Sequence, residues 1–107
     1  MPKITNDQII KSFDIAKEIF EGNITQKNGL DELVLFGMNR NSASDYIYNY
    51  QCMMDGKLMT RNSNTFGTEY YLDKIFENGG ETALQKALIS LSLHLDYYEE
   101  VSKTKVI

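Results

Sequence analysis

A chain of 107 residues, 42% hydrophobic and 24% charged, suits one soluble globular domain with a core of its own. Its single cysteine, Cys52, excludes an internal disulfide. No apolar run approaches the ~18 residues of a membrane span, and the opening "MPKITNDQIIK" has no apolar signal core, so a reducing, cytoplasmic setting is expected. A net charge of −4 argues against strong nonspecific attachment to nucleic acid, which depends on neutralising phosphates.

The apolar spacing is helical throughout, and no run alternates with period two. The first helix is expected over about 6–21. Thr5 and Gln8 form a capping-box pattern, Ile9, Phe13, Ala16 and Phe20 share a face, and Gly22-Asn23 stops it. "ITQKN" reads as a loop. A short second helix over about 29–36 turns Leu30, Leu33, Val34 and Phe36 inward, with Gly37 as its cap.

The third helix is expected after Ser42, over about 43–55. Ser42 and Asp45 sit where they would satisfy free amides, and Asp55-Gly56 ends it. Ala43, Tyr46, Ile47, Tyr50, Met53 and Met54 follow the i, i+3, i+4 pattern. "KLMTRNSNT" reads as an extended loop or short strand. A fourth helix runs from about Thr65 to Asn78, with Phe66, Tyr70, Leu72, Ile75 and Phe76 on its apolar side, and Asn78-Gly79-Gly80 stops it.

The fifth and longest helix, about 81–101, carries Leu84, Leu88, Leu91, Leu95 and Tyr98 on one stripe. Their spacing alternates four and three residues, as coiled-coil seams do. The stripe is expected either to fill the core of one domain or to be shared with a second copy in a homodimer. Residues 102–107 read as a frayed tail or the start of a linker. The expectation is an all-α domain of five helices, with helices 2 and 3 forming a helix-turn-helix-like pair.

No Gly-rich phosphate loop, Ser-His-Asp set or metal motif is present, so neither a catalytic constellation nor a cofactor is expected. A zinc centre would require Cys52, the sole histidine His94 and carboxylates to converge. His94 reads as a packed or half-exposed helical residue, and Cys52 as a small apolar one.

The helix 2–helix 3 pair has the lengths of a DNA-reading motif. The open face of helix 3 is expected to offer Ser42, Ser44, Asp45, Tyr48, Asn49 and Gln51. Asn49 and Gln51 are of the type that bonds adenine edges. Asn39 and Arg40 lie in the turn, while Lys57 and Arg61 lie beyond the helix and are suited to phosphates. Residues 37–64 carry three cations against Asp45 and Asp55, the only stretch that is not acidic. The bland alternative is that two antiparallel helices need a turn, and Asn, Arg and Ser are ordinary turn residues.

The run "GMNRNSASDYIYNYQCMMDGKLMTRNSNTFGTEYYLDKIF" with "ALQKALISLSLHLDYYE" resembles a helical module at the N-terminus of some bacterial HNH-type restriction endonucleases, the McrA-like kind among them. The resemblance implies a double-stranded-DNA recognition module of a restriction or mobile-element system, with cleavage elsewhere in a longer chain. It carries over no catalytic residue, because the His-Asn-His metal site is missing here. Positions suited to DNA contact are Asn39, Arg40, Ser42, Ser44, Tyr48, Lys57 and Arg61. The rival expectation is a protein-interaction module or small phage-type accessory inhibitor whose acidic ends face a basic partner.

Overall fold

The computed structural model describes the backbone of residues 4–59 and 65–106, and side chains as far as Asp96. It is all-helical among these residues: α1 Asn6–Phe20, α2 Gln26–Leu35, α3 Arg40–Asp55 and α4 Thr65–Val106. Its radius of gyration, 14.0 Å, is close to the ~13 Å of a compact chain of this length.

The caps explain where each helix starts. Thr5 accepts from the Gln8 amide while the Gln8 side chain accepts from the Thr5 amide, closing the expected capping box. α2 begins three residues earlier than expected, because Thr25 accepts from the Asn28 amide and turns part of the "ITQKN" loop into helix. α3 is capped by Asn39 rather than Ser42: its Oδ1 accepts from the Asn41 and Ser42 amides at 2.9 and 3.4 Å. Arg40 therefore stands in the first helical turn and not in the connection. Gly56, at φ 67°, closes α3 by donating its amide to the Cys52 carbonyl.

The expected fourth and fifth helices form one element with a break inside it. Gly80 has φ 70° and ψ −162°, a region almost closed to residues with a Cβ. A straight helix of 42 residues would span ~63 Å, well beyond the longest dimension of the molecule, 43 Å. The break at Gly80 thus divides α4 into a first arm, 65–79, and a second arm, 81–106. The helical backbone continues to Val106, past the expected end of helix 5 at about 101.

α3 is the central helix. It packs on α1, α2 and α4, whereas α2 and α4 do not meet among the described residues. The core is aromatic at its centre. Phe13, Tyr46, Tyr50 and Tyr71 are all buried, and Phe13 meets Tyr50 and Tyr71 edge-on with ring centroids 5.2 and 5.1 Å apart. Pairs of this kind contribute ~0.5–1.5 kcal/mol each beyond area burial. Tyr71, absent from the expected apolar side of helix 4, is the largest fully buried side chain. Its hydroxyl makes burial tolerable by pairing with Ser12.

The second arm closes the bundle at the far end of α3. A Cβ placed on Gly56 would lie 3.6 Å from the Lys86 carbonyl oxygen, so the C-terminus of α3 rests on that arm. His94 is buried and its Nδ1 lies 2.6 Å from the Met59 carbonyl. A carbonyl only accepts, so Nδ1 carries the proton and pins the connector after α3 to the arm.

Candidate functional site

The expected α2–α3 pair forms. Asp31 of α2 and Arg40 in the first turn of α3 are joined by an ion pair of 3.1 Å, with both side chains about half exposed. Asn39 is exposed and spends its side-chain oxygen on capping, while Ser42 and Ser44 are half-buried. Tyr48 is exposed at 39% and stands one turn before Cys52. Burial pushes the Cys52 thiol up, and Tyr48 offsets this only in part.

Asn49 departs from expectation. It was placed on the open face, but it is 2% exposed, inside the packed side of α3. It stands three residues after Tyr46 and four before Met53, so it belongs to the same stripe as those buried residues. Neither of its amide atoms has a hydrogen-bond partner among the described residues. No base edge can reach it there, which removes the main base-reading candidate.

Arg40 and Lys57 do not converge either. Arg40 opens α3 and Lys57 follows its end, so ~24 Å of helix separates them. Arg61 lies outside the described residues. Arg40 already has Asp31 as a partner, although an exposed pair of this kind is worth only ~0–1 kcal/mol.

A different surface emerges on the second arm of α4. Its buried stripe is Ala87, Ser90 and His94, with Ala83 partly buried beside it. The leucine row, expected either in the core or at a seam with a second copy, lies to one side of that stripe. Leu84 and Leu91 are half-buried, and Leu88 and Leu95 are 45% and 61% exposed. Ile89 and Leu93, around the helix, are exposed as well. The arm therefore turns small and polar side chains inward and large apolar ones outward, the reverse of what burial energetics favours for an isolated chain.

α3 meets this arm through Gly56, beside Lys86 and next to the buried Ala87, and the arm's inward face is its small-residue stripe. The sequence signal for this was Ala83, Ala87 and Ser90 at i, i+4, i+7, a small-residue stripe beside the leucine one.

Between Thr82 and Leu95 the arm carries one charged residue, Lys86. Lys86 lies about half a helical turn away from Leu88. The leucine face is thus uncharged, on a chain whose net charge is −4. Among the described residues no helix is long and apolar enough to cross a membrane, and no three His, Cys, Asp or Glu side chains gather where they would hold a metal ion. Comparison with known protein families, curated proteins and solved structures finds no match.

Proposed function

We propose that the chain is a non-catalytic protein-interaction module whose working surface is the leucine face of the second arm of α4. One observation carries this reading: Leu88 and Leu95 stand in solvent while Ser90 and His94, on the same arm, are buried. Exposing large apolar side chains forfeits ~1.5–3 kcal/mol each relative to burying them, a cost recovered when a partner covers them. Contiguous apolar surface on a soluble chain marks a contact site. The buried, unreactive Cys52 fits a reducing cytoplasmic location.

The reading is tested by replacing Leu88 and Leu95 with lysine and adding a neutral apolar dye. The expected result is a strong dye signal from the original chain at high dilution, where no partner covers the face, its loss in the double variant, and the same helical circular dichroism for both. A double variant that unfolds would show the leucines to be core, and an unaltered dye signal would show that they are not the exposed apolar surface. Either result ends the reading.

A second reading is DNA recognition, with cleavage elsewhere in a longer restriction or mobile-element protein. It is favoured by the accessible first two turns of α3, where Arg40 is held only by an exposed ion pair that a phosphate would replace. The resemblance to McrA-like endonucleases supports the same reading. Asn49 has no part in it; Arg40, Ser44 and Tyr48 are the contacts, and Lys57 would reach only a distant phosphate. Gel-shift titration at ~50 mM salt should then show binding that weakens steeply as salt rises, and Arg40→Ala should weaken it for every duplex. No shift with any duplex removes this reading.

A further inference from the structure

We propose that the leucine face of the second arm of α4 is covered by the same face of a second copy of this chain. This rests on the interaction reading above and adds the identity of the occupant. Three properties of the face select a copy of itself.

The first is spacing. Leu84, Leu88, Leu91 and Leu95 alternate four and three residues. That period suits knobs entering the holes of another helix with the same period, and the chain supplies such a helix. The leucine row, residues 84–95, spans ~17 Å of the arm. Leu84 and Leu91 are half-buried by the arm's own bundle, and Leu88 and Leu95 project. The row is already backed on one side and open on the other.

The second is charge. Each copy carries −4, so two copies repel wherever their acidic ends approach. Gln85 and Ser92 flank the leucine row and are uncharged. Pairing this face with itself brings no like charges together between Leu84 and Leu95. A basic partner would find nothing to pair with on the face, and an acidic one would meet no cation except Lys86, which points elsewhere.

The third is symmetry. A two-fold pair needs one self-complementary patch and no second surface.

Sedimentation equilibrium of the full chain between ~1 and ~100 µM tests the proposal. The mass is expected to rise with concentration to twice that of the chain. Leu88→Lys with Leu95→Lys should hold it at the single mass throughout, with unchanged circular dichroism. Leu95→Ala, mild enough to fold in any case, should raise the midpoint concentration at least ~10-fold, and Ile89→Lys, on another side of the arm, should leave it in place. A single mass for the original chain across the range overturns the proposal. So does a midpoint indifferent to Leu95→Ala, or one that moves as far with Ile89→Lys. A chain of single mass that still binds the apolar dye overturns the second copy alone and leaves the interaction reading standing; loss of both removes both.

Discussion

The hydroxyls of Ser12 and Tyr71, 59 residues apart in the chain, lie 2.6 Å apart in the middle of the core. Ser12 donates its single proton to the Ile9 carbonyl, also at 2.6 Å, so Tyr71 is the donor in the bond between them. A helix of the N-terminal half and the first arm of α4 are thus locked by a short relay with no spare proton.

The relay predicts an asymmetry. Ser12→Ala leaves the Tyr71 hydroxyl buried without an acceptor and should cost ~1–3 kcal/mol. Tyr71→Phe removes the donor itself and leaves Ser12 bonded to Ile9, so it should cost less, ~0.5–1.5 kcal/mol. Urea unfolding of both single variants and the double checks this, the double costing less than Ser12→Ala alone because it also removes the stranded hydroxyl. Equal single costs would mean that the bond direction is the reverse.

A second prediction concerns alkaline pH. Burial, with Glu21 adding to it, pushes Tyr50 up to about 12, and burial pushes Tyr71 up further despite its Ser12 bond. Both folded values lie above the ~10 of an unfolded tyrosine. The unfolded chain therefore releases these protons first, and stability falls as pH rises. Unfolding free energy should be insensitive to these groups below pH ~10 and decline above it. Tyr50→Phe should make the decline between pH ~10 and ~12 shallower in chemical denaturation curves, and an unchanged slope would count against the assignment.

A third prediction follows from the unpartnered amide in the core. Asn49 and Ser90 are both buried, and among the described residues Asn49 Oδ1 and Nδ2 and Ser90 Oγ lack hydrogen-bond partners. Replacing such a group with an apolar one of similar shape is neutral or stabilising. Asn49→Leu and Ser90→Ala should each leave the thermal midpoint unchanged or raise it, by the equivalent of up to ~1–3 kcal/mol for the amide. If Asn49→Leu instead lowers stability sharply and a duplex gel-shift is lost with it, the amide has a partner that its burial conceals.

Most of the local structure was legible in the sequence, since capping and helical periodicity depend on neighbours within four residues. The Thr5–Gln8 box, the glycine at the end of α3, and the buried row of Ala43, Tyr46, Ile47, Tyr50 and Met53 all appear where spacing places them. Asn49 was legible too, since it shares that row's period; its side-chain chemistry drew it to the wrong face. The competition between Asn39 and Ser42 for the α3 cap was harder, because both are good caps and one residue of geometry decides between them.

By itself the sequence determined that this chain folds into helices with an aromatic core, because side-chain period and cap chemistry are local and additive. Only the tertiary structure decided which of two competing stripes on the last helix faces inward. In it Ala87, Ser90 and His94 are buried while Leu88 and Leu95 are turned out. It also decided that Arg40 and Lys57 stand at opposite ends of α3. Helix-to-helix distance and the length of an intervening helix are set by the whole packed assembly, and no window of neighbouring residues contains them.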